Sequence, residues 1–246
     1  MVRRFEAAGF RAWPAETVAY DGAWVIRLTR GHPAKRLNSV NPLDPGDATD
    51  VAGRIERAAA RFAEAGRPLT FRLSPLAGPH LTAFFDQRGW SRLSESVVMR
   101  ARLADAPLDE AMSQIPFRDM ARFVEAASAL NGVDAAERAG LLGIVERIEP
   151  ETGLFALQRS GRPIATAICV HDGDLAGLFE IATDALERGR GHGRRIVMSA
   201  LKWARSRGAR EGWLQVEADN VAAIGLYEQL GFSEIYRYHY RRPPGA

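Results

Sequence analysis

The chain has 246 residues, 46% hydrophobic and 26% charged, with a formal net charge of only +3, a composition that supports a packed core and excludes a disordered chain. The arginines are scattered rather than gathered into a stripe, so no nucleic-acid partner is expected. One cysteine, Cys169, excludes an intramolecular disulfide and a Cys-rich zinc site. No run approaches the about 20 apolar residues of a membrane helix, and the first residues lack the apolar centre of a signal peptide; a cytoplasmic protein without membrane or metal is expected.

In chain order, "AWVIRLTRG" (23–31) and "KRLNSV" (35–40) read as paired strands across a Gly-His-Pro turn. The loop "NPLDPGD" (41–47) follows, with Asp47 or Thr49 placed to cap the next helix. That helix carries Val51, Ile55, Ala58, Ala59 and Phe62 on one face and closes at Gly66. A strand at 68–74, a helix over about 79–88, a turn at Gly89 and a strand at 94–103 complete the first half. A domain boundary is placed there, giving units 1–103 and 104–246.

The second half predicts helices at 117–130 and about 134–148, the latter capped by Asp134. Strands flank the turn Ser160-Gly161-Arg162, and Cys169 lies in the apolar run "ATAICV", where a buried strand residue is expected. A third strand spans 175–183. After the loop "DALERGRGHG" comes a helix with Ile196, Val197, Ala200, Leu201 and Ala204 inward. Strand "GWLQVEAD", helix "NVAAIGLYEQL" and strand "FSEIYRYHYRRP" end the chain. His171 and His239 have no metal spacing and are expected at the surface, and His192 is expected to face solvent.

Two corners of the chain align without a gap. "AFFDQRGW" (83–90) places Phe85, Gly89 and Trp90 over Tyr227, Gly231 and Phe232 of "GLYEQLGF" (225–232). The first half repeats the later part of the second at a spacing above 100 residues, which indicates duplicated domains rather than a solenoid.

The segment "RGRGHG" (188–193) lies between a strand and a helix. Glycines let the backbone approach a ligand, and free N–H groups at a helix start attract phosphate oxygens. A Walker loop needs Gly-Lys-Ser/Thr, but Gly193 is followed by Arg194-Arg195. A dinucleotide fingerprint counted from Gly189 puts Arg194 where its third glycine belongs. The pattern that fits is Arg/Gln-x-x-Gly-x-Gly/Ala, met by Arg188, Gly191 and Gly193.

Residues 178–232, with the element order from about 117 to 240, resemble the GNAT superfamily of acyl-CoA-dependent N-acetyltransferases. Ala185 stands where many members have proline. The resemblance implies an α/β fold with an α+β mixed sheet, arranged as two tandem GNAT-like domains of which the C-terminal one is complete. It implies acetyl-CoA (coenzyme A) as the cofactor, with its pyrophosphate on Arg188, Gly189, Arg190, Gly191, His192, Gly193 and Arg194. Its pantetheine arm would lie against Ile181, Ala182 and Thr183, with Asn220 as the hydrogen-bonding asparagine and Tyr227 as the acid that protonates the departing thiolate. The general base stays open among Glu180, Glu217 and water, with Glu180 taken as the catalytic candidate.

In the first half, three acidic residues of "NPLDPGDATD" stand where the phosphate loop belongs, Phe85 replaces the phenol, and Gly78 replaces Asn220. A degenerate half that packs against the enzyme is expected, with 11–16 and 35–40 as candidate walls of the acceptor cleft. The acceptor is a small-molecule or peptide amine, and the chain a monomer or homodimer. The alternatives are a non-catalytic acyl-CoA-binding or regulatory protein and a nucleotide-binding protein.

Overall fold

The computed structural model describes residues 1–245. Two of its elements lie outside the pattern read from the sequence. Helix α1 (Val2–Ala12) buries Phe5, Ala8, Gly9 and Ala12, with Phe5 edge-on to Trp213 at 6.1 Å. Its alanines favour a helix and its buried positions 5, 8, 9 and 12 follow the helical period, with Gly9 the one unfavourable interior residue. Strand β1 (Thr17–Asp21) is an edge strand with Val18 and Tyr20 exposed, so its alternation does not separate an apolar face from a polar one.

Strand β2 (Trp24–Leu28) is followed not by a strand at 35–40 but by a 3-10 turn at Lys35–Leu37 and then β3 (Ser39–Pro42). Asn38 is the reason: its amide donates to the carbonyls of His32 (2.8 Å) and Ala34 (3.1 Å) and curls the backbone. Helix α2 (Val51–Glu64) is capped by Asp50, which accepts from Gly53 N–H at 3.2 Å, rather than by Asp47 or Thr49. Asp47 is engaged elsewhere, 2.8 Å from Arg54 and accepting from Ala23 N–H at 2.9 Å. Strand β4 (Phe71–Leu73), helix α3 (Pro79–Gln87) and strand β5 (Ser91–Arg102) follow.

The second half has the expected order: α4 (Met120–Asn131), α5 (Ala135–Glu146), β6 (Glu151–Arg159), β7 (Arg162–Asp172), β8 (Leu175–Thr183), α6 (His192–Arg205), β9 (Glu211–Glu217), α7 (Val221–Gln229) and β10 (Ser233–Arg242). Asp134 caps α5 through Glu137 N–H at 2.9 Å. Ser160 and Gly161 both take positive φ, the two-residue hairpin geometry that matches strand twist.

The ten strands among the described residues form one mixed sheet in the order β1-β2-β3-β4-β10-β5-β9-β8-β7-β6. Replacing each of the first five strands by the one five later, and the reverse, gives the same order read from the other end. The parallel pairs obey the same exchange, β3 with β4 and β8 with β9. At the centre β10 runs antiparallel between β4 and β5, and β5 runs antiparallel to β9. The last strand of each half thus sits beside the other half's strands, and the sheet is continuous across the division at 103/104.

Helix α6 covers one face of β6–β8, with Ile196, Val197, Ala200, Leu201 and Ala204 fully buried. Helices α1, α4 and α5 cover the opposite face with Phe5, Phe123, Leu141 and Ile144. A separate cluster of Trp24, Phe62, Phe71, Phe85 and Trp90 fills the first half. Cys169 is fully buried, and burial pushes its thiol well up, so it packs as a small apolar residue.

Candidate active site

The parallel pairing of β8 with β9 runs from Leu175 opposite Glu211 to Leu178 opposite Leu214, then stops while both strands continue. Its cause is local. Between the pairs Thr166/Ala182 and Ile168/Phe179 the β7–β8 register shifts, with Glu180 at φ 47°. A bulge of this kind bends the strand and turns a side chain. Ile181, Ala182 and Thr183 are left beyond the parted strands.

Beside them lies the glycine loop. Gly189 and Gly191 have φ of 73° and 77°, and a Cβ at either would meet nothing within 4 Å. Gly191 caps α6 without any side-chain bond to the helix's first N–H groups, which leaves those donors and the positive helix end for a ligand anion. The loop is tied together by Glu187, which itself lines the cavity beside it and takes Arg159 at 2.9 Å, Arg190 at 3.2 Å and His192 at 3.3 Å. His192 is therefore not a solvent-facing residue: it is 4% exposed and turned to Glu187. The first half offers the contrast, since Asp50 places its own carboxylate at the α2 N-terminus.

Two cavities flank the gap between β8 and β9. One, about 720 Å³, is lined by Ile181, Ala182, Thr183, Arg188, Gly189, Gly191, His192, Gly193 and Arg194. Arg190, paired with Glu187, is outside that lining. The other, about 530 Å³, has Glu180, Glu217 and Gln215 from the second half, with Trp13, Lys35 and Arg36 from the first. Asn131, Ile181, Asn220, Ala223 and Tyr227 line both. Asn220 is anchored by accepting from Ala223 N–H at 3.1 Å.

Tyr227 is 6% exposed, and burial pushes its hydroxyl up to about 12. A phenol in that state keeps its proton at neutral pH and can donate it. Glu180 is half-buried in the wall of the smaller cavity, where Asn131 Nδ2 donates to it at 3.3 Å. Burial raises its carboxyl above the ordinary range, with Arg36 acting in the opposite direction. Glu217 is exposed at the rim. A buried acid and a raised carboxylate across one junction suit proton transfer between two ligands.

Some lining residues lie outside the sequence expectation. Tyr238 and Tyr240 alternate on β10, a period-two pattern that carries a signal for one strand face but not for this cavity. Asn131, at the end of α4, has no local signature. His239 is half-buried rather than superficial, and burial beside Arg92 and Arg241 pushes it down to about 4. His171 is also largely covered, 3.5 Å from Glu151.

A family model described as "Probable histone acetyltransferase Rv0428c C-terminal" matches residues 1–241. The uncharacterized N-acetyltransferase YobR of Bacillus subtilis is 26% identical over 247 residues, covering 98% of each chain. The [ribosomal protein bS18]-alanine N-acetyltransferase of Escherichia coli is 40% identical over 93 residues, which are 37% of this chain and 63% of that one. In fold, a GCN5-related N-acetyltransferase from Kribbella flavida matches with a TM-score of 0.74 and 21% identity, over 99% of this chain and 95% of that one. With a family match along nearly its whole length and a glycine loop, parted strands and buried phenol in one place, the chain belongs to the Rv0428c C-terminal acetyltransferase family and is a GNAT N-acetyltransferase.

Proposed function

We propose that the protein transfers an acetyl group from acetyl-CoA to a primary amine by direct attack in a ternary complex. The observation that carries this reading is the meeting of two cavities at Tyr227 and Asn220. The larger cavity fits the cofactor: uncapped N–H groups, glycines open to close approach, Arg188 and Arg194 for phosphate, and the edge of β8 beyond its pairing with β9 for an extended amide arm. When bound there, acetyl-CoA supplies the thioester that the amine attacks and the sulfur that leaves.

Glu180 takes the proton of the attacking amine, directly or through a water, and Glu217 is the second carboxylate on that side. N–H groups at the parted end of β8 hold the developing oxyanion. Tyr227 gives its proton to the departing thiolate, so that a C–N bond replaces the C–S bond and no enzyme-bound acyl group forms. The test is thiol release from acetyl-CoA across a panel of amines, with coenzyme A binding measured alongside. Tight binding without release on any amine would favour a binding or regulatory role.

The first half is, in this reading, a duplicated scaffold whose cofactor site has been lost. Three features support it: the α2 N-terminus filled by Asp50, Phe85 in place of the phenol, and Gly78 at the cap position that Asn220 holds on α7. Its retained task is to wall the acceptor cavity with Trp13, Lys35 and Arg36. A cytoplasmic setting suits a chain whose one cysteine is a buried free thiol.

A further inference from the structure

The cavity on the Glu180 side is lined by charges of both signs, and they come from different halves of the chain. Glu137, Glu180 and Glu217 are the carboxylates of the second half; Lys35 and Arg36 are the cations of the first. Among the described residues neither cation forms an ion pair, whereas the buried Arg54, Arg72 and Arg241 each pair with a carboxylate. Lys35 instead lies over the Tyr240 ring at 5.6 Å. Arg36 is half-buried and close enough to Glu180 and Tyr238 to act on both electrostatically.

The segment carrying these cations is built in advance. Arg27, fully buried, donates to the carbonyl of Arg36 at 3.0 Å and to the carbonyl of Trp13, so one guanidinium clamps two stretches of the cavity wall. Asn38 adds its bonds to His32 and Ala34 and accepts from Thr29 N–H at 2.8 Å. Such a wall needs no ordering when a ligand arrives, which favours specific recognition of an anion. With no direct ion pair among the described residues, the half-buried Lys35 and Arg36 also offset part of their desolvation cost when a ligand anion joins them.

We infer that the acceptor is a zwitterion: a primary amine carrying its own anionic group, a carboxylate as in an α-amino acid, with the amine toward Glu180 and the anion on Lys35 and Arg36. The inference rests on the acetyl-transfer reading. The cavity volume of about 530 Å³ is that of a small-molecule site. A lysine-rich peptide would bring further cations against Lys35 and Arg36 and is disfavoured by like charge.

The test is calorimetric binding to the coenzyme A-loaded protein of the L-α-amino acids, their carboxamides, O-phosphoethanolamine and a lysine-rich peptide. The expected result is at least one amino acid bound about tenfold or more tightly than its amide, the scale of a hydrogen bond to a charged group. In Arg36→Gln that ratio falls toward one; Lys35→Met provides the same comparison if the first variant does not fold. O-phosphoethanolamine binding best, with the same dependence on Arg36, would keep the zwitterion and make its anion a phosphate. Equal binding of acid and amide throughout, no binding by any zwitterion, or preference for the peptide overturns the inference. Thiol release from acetyl-CoA, followed on the same panel, separates the two levels. Arg36-dependent preference without release sinks the transfer reading and leaves a zwitterion-binding site in place of an acceptor site, whereas release without preference sinks the zwitterion alone.

Discussion

Phe85 and Tyr227 occupy the same position in the same hydrogen-bonded corner. In each, the carbonyl of the aromatic residue accepts from the N–H five residues on, Trp90 to Phe85 and Phe232 to Tyr227, both at 3.0 Å. The N–H of the intervening glycine is bound alike, Gly89 to Asp86 at 3.1 Å and Gly231 to Glu228 at 2.9 Å. The difference is what surrounds the ring. Phe85 is fully enclosed by Phe71, Phe84 and Trp90, whereas Tyr227 reaches the junction of two cavities.

Phe85→Tyr should therefore create no second cofactor site. Its hydroxyl would be buried in an aromatic cluster without a partner, at a cost of about 1–3 kcal/mol. Urea unfolding reads the loss, and calorimetry should still find one coenzyme A per chain; two per chain would contradict the assignment of a lost site.

Tyr227→Phe should lower kcat by about 10²–10⁴-fold, the usual effect of removing a general acid, with coenzyme A affinity little changed. Pre-steady-state kinetics must first show that chemistry limits turnover. Unaltered turnover under those conditions would remove Tyr227 from the acid role.

The pH profile follows from the two shifts. As the proposed base, Glu180 is needed deprotonated, so kcat should fall as pH drops through a carboxyl value raised above the usual range by burial. Tyr227 must be protonated, and at about 12 it stays so through the accessible range, contributing no alkaline loss below that value. Glu180→Gln should abolish the acidic limb as well as slow turnover. Persistence of that limb in the variant would move the base role to Glu217 or water.

Gly191→Val should weaken coenzyme A binding by tenfold or more without unfolding the protein. A β-branched residue at φ 77° is strained, and its side chain would stand before the free N–H groups of α6. Isothermal titration gives the affinity and circular dichroism the fold. Unchanged affinity would place the pyrophosphate elsewhere.

Separating the chain at 103/104 should yield two fragments that do not fold alone. Fragment 104–246 would lose β5 from the edge of β9 and leave β10 without either neighbour. Thermal melts of each fragment should show no cooperative transition, while co-expression should restore a soluble complex. A cooperatively folded 104–246 fragment would show that the shared centre of the sheet is dispensable.

The sequence by itself determined the parts whose signals are local. The element order of the second half, the Asp134 cap, the hairpin at Ser160-Gly161, the glycine loop and the spacing of Asn220 and Tyr227 all depend on residues a few positions apart. They were legible through capping, turn geometry and helical or strand period. Segments 11–16 and 35–40 could be named as cleft candidates, but not their shape, because the turn at Lys35–Leu37 depends on an asparagine bonding back over six residues. The burial of His192 was beyond that reach, since Glu187 holds it, whereas Phe5, Ala8, Gly9 and Ala12 of α1 do carry a helical period.

Tertiary structure alone decided where β5 and β10 go. Strand pairing joins residues more than a hundred apart, Arg100 to Ser233 among them, and an alternating pattern states which face is apolar without naming the neighbour. It was that exchange of strands, together with the Arg27 clamp, that set Lys35 and Arg36 opposite Glu180 and made one cavity from two halves of the chain.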